Sequence, residues 1–441
     1  MISTDSLGIK RKMSGWGNYP IIESKVSPIY SVQDIYLKKG GNLIARGLGR
    51  SYGDSAISEL IADILPMDRF LSFDNDNGEI HCQAGVSLGE ILSIIVPKGW
   101  FLPVTPGTKF ITVGGAVAAD VHGKNHHIDG SFCDYVDSFK IMIGNGKIIE
   151  CTTENNSDLF FATCGGMGLT GIILDVRFRL KSIKGEAVKV KTIRTSNLED
   201  TLDIFEENKS VTYSVAWIDC LKKGKHLGRS HVMLGEHCDD EIKSYDSENK
   251  MNIPFYTPSF LLNKCTIKVF NAVYYQSQPK KDSVNVTHYQ PFFYPLDAIN
   301  NWNRLYGKKG FFQYQFVLPF SVGLDGIKRV MTEIVKSGQG SFLAVLKTFG
   351  SKNNNLISFP MAGYTLALDI KYNQKALTLF NFLDNMIAEM GGRHYLAKDA
   401  RMSAETFKAT YKNWEKFQDI RRKYYALGIF SSNQSIRIGL D

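Results

Sequence analysis

Paired cysteines, long apolar runs and large blocks of one charge are all missing from this 441-residue sequence. Its seven cysteines (Cys82, Cys133, Cys151, Cys164, Cys220, Cys238, Cys265) are odd in number, widely spaced and free of any C-x-x-C pair. That argues against a zinc ribbon, a dithiol redox motif or a disulfide framework, and for a reducing compartment. No window reaches the roughly 18 apolar residues of a membrane span, and MISTDSLGIKRKMSGWGNYP has no apolar signal-peptide core. The chain reads as cytoplasmic, with any membrane contact peripheral. Against 44 Asp and Glu stand 52 Lys and Arg, leaving +8, and the basic runs are no longer than a triplet such as Arg421-Arg422-Lys423. This excludes the basic stripe of a nucleic-acid binder and mildly favours small anionic partners.

Apolar residues at 44% and charged residues at 22% are the balance of a globular chain, long enough here for two or three domains. Over the first 180 or so residues glycine is dense and apolar runs are short. Asn42 to Arg46 and Ile61 to Pro66 read as strands; Lys140 to Ile143 and Lys147 to Cys151 read as a hairpin around Asn145-Gly146. Ser87-Leu-Gly-Glu90 is a capping box opening a helix that Pro97 and Gly99 close. This half is α+β. From about Lys184 to Met390 glycine thins and aromatics accumulate, and strand-like Gln313 to Leu318 and Tyr364 to Ile370 alternate with helices over Gly326 to Lys336 and Lys375 to Met390. A second domain with a mixed sheet and covering helices follows. Asn249 to Pro258 reads as a mobile loop. Ser403 predicts the N-cap of one helix carrying Phe407, Tyr411, Trp414 and Phe417, a stripe that burial explains without a ligand.

Three small-residue loops carry the chemically suggestive pattern. Ala45-Arg-Gly-Leu-Gly-Arg-Ser-Tyr-Gly-Asp54 follows a strand; its glycines let backbone N–H groups close on a pyrophosphate, and Arg46 and Arg50 add charge. The spacing fits neither a dinucleotide fingerprint nor a Walker loop, so alone it is equally a phosphate cradle or a plain connection. In Val113-Gly-Gly-Ala-Val-Ala-Ala119 the small side chains let a flat or bulky ligand lie against main chain. His122 and His126 stand four apart, as helix-borne metal ligands would. No third ligand completes a site, and Gly123 and Asn125 read as loop, so metal is the weakest reading. Lys124 is a phosphate contact or a solvated lysine. Cys164-Gly-Gly-Met-Gly-Leu-Thr-Gly171 is the third loop. Each alone is also a tight turn, but three in one half favour a large shared cofactor. Lys398, with Asp399 and Arg401 close after it, has an ion-pair pattern whose interest depends on where the fold puts it.

Taken in order, Ser14-Gly-Trp-Gly17, the 45–54 loop, Pro106-Gly-Thr108, Thr112-Val-Gly-Gly-Ala116, Asp120-Val-His-Gly-Lys-Asn-His-His127, Gly165-Gly-Met-Gly-Leu-Thr-Gly-Ile-Ile173, Tyr294-Pro-Leu-Asp297, Gln313-Tyr-Gln-Phe316 and Ala397-Lys-Asp-Ala-Arg401 carry a resemblance. The chain resembles the decaprenylphosphoryl-β-D-ribose 2-oxidase family, flavin subunits of a 2-epimerase among the vanillyl-alcohol-oxidase-like, PCMH-type flavoproteins. The resemblance implies a two-domain α+β fold: an FAD domain over 1–183, a substrate (cap) domain over 184–390, and a segment 391–441 returning to the FAD domain. It implies that Ala45, Arg46, Gly47, Leu48, Gly49, Arg50, Ser51, Tyr52, Gly53, Asp54 and Ser55 hold the FAD pyrophosphate. Gly107, Thr112, Val113, Gly114, Gly115, Ala119, Asp120, Val121, His122, Ile173 and Tyr395 would complete the flavin site. Lys124, Trp217, Tyr294, Gln313, Gln315 and Lys398 would line the substrate pocket, with His122 and Lys398 catalytic. Lys398 would deprotonate or orient a ribose 2-hydroxyl as hydride leaves C2, provided burial or a neighbouring cation lowers its pKa.

The implied reaction turns a polyprenyl-phosphoryl pentose into its 2-keto sugar, the first half of a 2′-epimerisation toward arabinose for surface polysaccharide. An NAD(P)H-dependent short-chain reductase would act next, possible membrane contact is peripheral, and no nucleic acid is involved. Two departures matter. Covalent flavoproteins of this kind carry a histidine in the first loop, where this chain has Tyr52 and Asp54, so FAD is expected to be non-covalent. The family's pocket cysteine is Ala367 here, so no thiol is required. The alternatives are an FAD-dependent alditol or aldonolactone oxidase and, in another class, a non-catalytic nucleotide-binding protein that keeps the fold.

Overall fold

A computed structural model describes residues 8–240, 242, 251–258 and 260–441. The first half is built on two sheets. Ile9–Ser14, Ile21–Pro28, Leu60–Asp63 and Leu43–Arg46 lie side by side in that order, antiparallel in the first pair and parallel thereafter. Phe70–Asp74, Glu79–Gln83, Ile172–Arg179, Val136–Met142 and Ile148–Cys151 form a second, wholly antiparallel sheet. Its last pair is the hairpin expected around Asn145-Gly146, with Met142 opposite Ile148 and Gly146 at φ +83. The Ser87 capping box closes as the sequence predicts: Ser87 Oγ accepts from Glu90 N, and the Glu90 carboxylate accepts from Ser87 N, opening the helix Leu88–Ile95.

The second half holds an eight-stranded sheet: Ser283–His288, Ala187–Thr195, Ser230–Cys238, Tyr213–Ile218, Ala344–Phe349, Gly363–Lys371, Phe311–Pro319 and Arg393–His394. Where a mixed sheet was expected, every pairing is antiparallel. The reason lies in two split crossovers. The helix Leu198–Glu207 joins two like-directed strands, Ala187–Thr195 and Tyr213–Ile218, but Ser230–Cys238 inserts between them. Gly323–Ser337 likewise joins Phe311–Pro319 to Ala344–Phe349, and Gly363–Lys371 fills the gap. Strand–helix–strand order in the sequence suggests parallel neighbours, whereas the inserted strand makes each neighbour antiparallel.

Side-chain alternation divides this sheet into two environments. Phe312, Tyr314, Phe316, Leu346, Leu366 and Leu368 pack with Leu198–Glu207, Gly323–Ser337 and Gln374–Glu389 in one apolar core. The other face, with Val317, Phe349 and Tyr213, belongs to the larger core of the first half. Residues 395–440 also join that larger core. Leu43 N donates to the Ile429 carbonyl at 3.0 Å, and the fully buried Arg421 donates to carbonyls of Leu169, Phe430 and Leu440. The aromatic stripe expected on one helix is divided between Ala404–Thr410, capped by Ser403, and Trp414–Lys423. Phe407, Tyr411 and Phe417 are buried and Trp414 is half-buried. Tyr411 leaves helical geometry with its hydroxyl bonded to the His394 carbonyl at 2.5 Å, which fixes the break. Of the loop expected at 249–258, the first two residues lie outside the described residues, and Met251–Asn252 pairs with Ile299–Asn300.

Candidate active site

The strand Leu43–Arg46 runs into the loop 47–55, pressed between two other segments. A Cβ on Gly47 would sit 2.3 Å from Thr112 Oγ1, and one on Gly53 would sit 2.0 Å from the Asp399 carbonyl oxygen. Glycine is therefore required for these close approaches. Thr112 caps the short helix Val113–Ala118 by accepting from Gly115 N at 3.2 Å. Gly114 N donates to the Ala84 carbonyl and Val113 N to that of Val86. Among the described residues no protein acceptor meets the half-exposed backbone N–H groups of Gly47, Leu48, Gly49, Arg50 and Ser51. The buried Ser55 hydroxyl also has no partner. Five successive free donors with a hydroxyl beside them make a site for an anion such as a pyrophosphate. An added Cβ at Gly107 would meet nothing within 4 Å. This donor set fits FAD.

Three of the expected cofactor side chains are occupied by the protein itself. Arg46 donates to the carbonyls of Ser14 (2.8 Å) and Ala56 (3.0 Å). Asp54 accepts from Arg437 through both oxygens, at 2.6 and 3.1 Å. Asp120 accepts from Cys133 N, Asn353, Asn355 and Ser358. These residues are left main chain rather than side chain to offer a cofactor. Arg50 stacks its guanidinium 4.2 Å above the Trp16 ring, and Tyr52 N donates to the Ala397 carbonyl. Ala119, Val121 and Ile173 are buried apolar wall, and Tyr395 donates its hydroxyl to the Ala119 carbonyl at 3.0 Å.

Opposite these loops, register places the polar residues of the second half in cross-strand rows. Gln315 stands opposite Ala367, Ala367 opposite Val345 and Val345 opposite Trp217, so one row spans four strands. Beside it Val317, Thr365 and Lys347 form a second row, and Gln313 faces Asp369 in a third. Gln313 Nε2 donates to Asp369 Oδ1 at 2.5 Å. Trp217 Nε1 donates to the Phe342 carbonyl, Tyr294 pairs its hydroxyl with Thr105 at 2.7 Å, and Lys124 donates to the Phe292 carbonyl over that residue's ring. Lys398 Nζ lies 4.0 Å above the Tyr52 ring. A small cleft opens beside Gln313, Gln315, Tyr395, Lys398 and Arg401. Lys347 and Asp369 are site residues that the sequence did not disclose. The only signal is a charged residue inside a mainly apolar strand, Lys347 in Ala344–Phe349 and Asp369 in Gly363–Lys371.

Burial dominates the electrostatics. It pushes Lys124 and Lys347 down from 10.5 to about 7, with Lys124 and Lys398 adding repulsion at Lys347. Lys398 is also lowered by burial while Asp369 opposes the shift, and burial raises Asp369. His122 is held well below 6.5, first by burial and then by Lys347, so its ring is neutral. Thr365 donates to the Phe316 carbonyl (2.9 Å), leaving its oxygen to accept from Gln315 Nε2 (3.3 Å). The same amide donates to His122 Nε2 at 3.1 Å. The ring proton then sits on Nδ1, facing Lys347 Nζ at 3.2 Å, and a lysine accepts it only as the neutral amine. His126 is directed elsewhere, its Nδ1 accepting from Gly350 N, and burial lowers it to about 4.

Fold and site together define an FAD-dependent oxidoreductase of the PCMH type. A family model described as FAD binding domain matches residues 30–152, and one described as D-arabinono-1,4-lactone oxidase matches residues 364–438. Decaprenylphosphoryl-beta-D-ribose oxidase of Mycolicibacterium smegmatis is 34% identical over the full length of both chains. The chain belongs to the decaprenylphosphoryl-β-D-ribose oxidase family. L-gulonolactone oxidase of Mus musculus is 22% identical over 87% of this chain and 86% of its own. Delta(24)-sterol reductase of Rattus norvegicus is 27% identical over 31% of this chain and 26% of its own. Membership of an oxidase family sets aside the non-catalytic reading.

Proposed function

We propose that this enzyme oxidises the 2-hydroxyl of a polyprenyl-phosphoryl pentose of the decaprenylphosphoryl-ribose type to the 2-keto sugar, beginning a 2′-epimerisation. The observation that carries the reading is that Lys347 and Lys398 converge on the buried, neutral His122, with Lys124 beside Lys347, three half-buried lysines gathered where the sheet meets the small-residue loops. Such a place suits a phosphorylated alcohol: it offers cations to the phosphate and a free amine to the hydroxyl proton. Bound FAD supplies the acceptor for the hydride from C2. The chain's own tasks are to hold the phosphate, orient the sugar and take the proton.

Lys398 takes the 2-hydroxyl proton, its charge disfavoured by burial, while Gln313 and Asp369 fix the sheet beneath it. Gln315 and Lys347 engage both ring nitrogens of His122 and fix the ring as a neutral wall of the pocket, and a substrate hydroxyl that displaces either partner gains that nitrogen. Lys124, Tyr294 and Trp217 line the sugar and phosphate side. The N–H groups of 47–51 and Ser55 take the pyrophosphate, and the small residues 112–121, Gly107, Ile173 and Tyr395 take the rest of a non-covalent FAD. A reductase using NAD(P)H follows, because the keto sugar must be reduced from the other face to complete an inversion.

Anaerobic mixing of the flavin-loaded protein with polyprenyl-phosphoryl ribose tests this; flavin absorbance that fails to bleach overturns the substrate assignment. The match of residues 364–438 to the arabinonolactone oxidase model, with the likeness to L-gulonolactone oxidase, favours a second reading as a soluble sugar-lactone or alditol oxidase. Under it, an aldonolactone bleaches the flavin and the lipid-linked sugar does not.

A further inference from the structure

We propose that the outer face of the helix Lys264–Ser277, with Phe255 and Phe260 before it, seats the protein on an anionic lipid bilayer. From Met251 to Lys281 the sequence contains four lysines and no Asp or Glu. The helix packs inward through Ile267, Asn271 and Tyr275, at four-residue spacing. Asn271 donates to Asp219 and to the Ser341 carbonyl, and Tyr275 donates to the Thr195 carbonyl, so this side is anchored to the sheet. Its outward side is apolar as well. Val269 is 64% exposed, Val273 65%, Phe255 68% and Phe260 71%, with Phe270 and Tyr274 also exposed. Lys264 and Lys268, one turn apart and both exposed, run beside the Val269–Val273 stripe.

Among the described residues, no helix is long and apolar enough to cross a membrane. A bilayer interface accepts this surface without a crossing: apolar side chains enter the acyl boundary and ammonium groups meet lipid phosphates. The absence of any carboxylate from 31 consecutive residues removes the charge that an anionic surface would repel. The patch is also continuous with the site. Phe270 packs edge-on against Phe342 and Tyr274 against Trp217, at 5.6 and 4.7 Å between ring centres. Trp217 ends the row that begins at Gln315. A prenyl chain leaving the pocket beside Trp217 would pass directly to the membrane face, a step that rests on the proposed substrate; the bilayer contact itself does not.

The test is sedimentation of the flavin-loaded full chain with phosphatidylcholine vesicles, with and without phosphatidylglycerol. The native chain should sediment with the anionic vesicles and be released by salt. Val269→Asp with Val273→Asp should abolish sedimentation, and Lys264→Glu with Lys268→Glu should weaken it roughly tenfold or more. The pair Phe255→Ser and Phe260→Ser, outside the helix, should independently reduce it. Turnover of a soluble, short-prenyl phosphoryl ribose should be unchanged in all three variants, while turnover of long-chain substrate carried in anionic vesicles should fall. Native protein that stays in the supernatant, or variants that sediment as well as it does, overturns the proposal. So does a native dimer that Val269→Asp splits while vesicle binding persists, which would make this face a contact between copies. Because sedimentation uses no substrate, its outcome is separate from any failure to oxidise the short-chain sugar.

Discussion

At Lys398 two influences oppose each other: burial disfavours the ammonium form and the Asp369 carboxylate favours it. Asp369→Asn removes the second, so Lys398 should lose its proton at lower pH and the acid limb of kcat/KM should move to lower pH. Lys398→Met should slow flavin reduction by about 10²–10⁴-fold, the usual size of a lost general base, with the flavin spectrum retained. A stationary acid limb in Asp369→Asn, or normal bleaching in Lys398→Met, would remove Lys398 as the proton acceptor. Neither lysine nor carboxylate was evident from spacing. Lys398 emerged because a motif resembled a family, and its partner Asp369 was hidden inside the strand-like Tyr364 to Ile370, where only register reveals that it faces Gln313. Lys347 was hidden for the same reason. Asp54 and Asp120 show the converse: the motif named them, but their carboxylates are taken up by Arg437 and by the 353–358 segment.

The elements most legible in advance were those specified by local chemistry: the Ser87 cap, the Asn145-Gly146 hairpin and the helices over 323–337 and 374–389. Sheet order was not legible, because two strands insert between partners that their connecting helices join. The three small-residue loops were read as one cradle, and the packing around Gly53 explains why they must act together. A methyl there would collide with the Asp399 carbonyl, in the same turn that presents Lys398. Gly53→Ala should therefore weaken FAD binding roughly tenfold or more, about 1.4 kcal/mol, by flavin-fluorescence titration, and should lower the melting temperature. Gly107→Ala offers the contrast, since its methyl meets no protein atom. Melting of the FAD-free chain should be unchanged, and any loss should appear in FAD affinity alone. Arg437, in the C-terminal helix Asn433–Arg437, pairs with both Asp54 and Asp399. Arg437→Met leaves two buried carboxylates facing each other and should cost about 3–5 kcal/mol, measured by denaturant unfolding.

Across the whole molecule, the site is a place where folding buries basic groups before any anion arrives. Lys124 and Lys347 fall from 10.5 to about 7, so between those values the unfolded chain binds more protons than the folded one. Stability then rises with pH through that window, and the full penalty is present below about pH 7. Asp369 has its pKa raised by burial, and its opposing contribution develops toward lower pH, below the lysine window. The FAD-free chain should therefore melt at higher temperature at pH 9 than at pH 7. Lys347→Met should flatten that slope by up to about 1.4 kcal/mol per pH unit and raise the melting temperature at pH 7, because an unbranched apolar chain fills the same space without a charge to desolvate. Binding of a phosphorylated ligand should also flatten it, since an anion beside the lysines restores their protons. Calorimetric scans at both pH values, with and without such a ligand, check the sign. A Lys347→Met slope equal to that of the native chain would mean that Lys347 keeps its proton in the folded state, and that the His122 Nδ1 proton has some other acceptor.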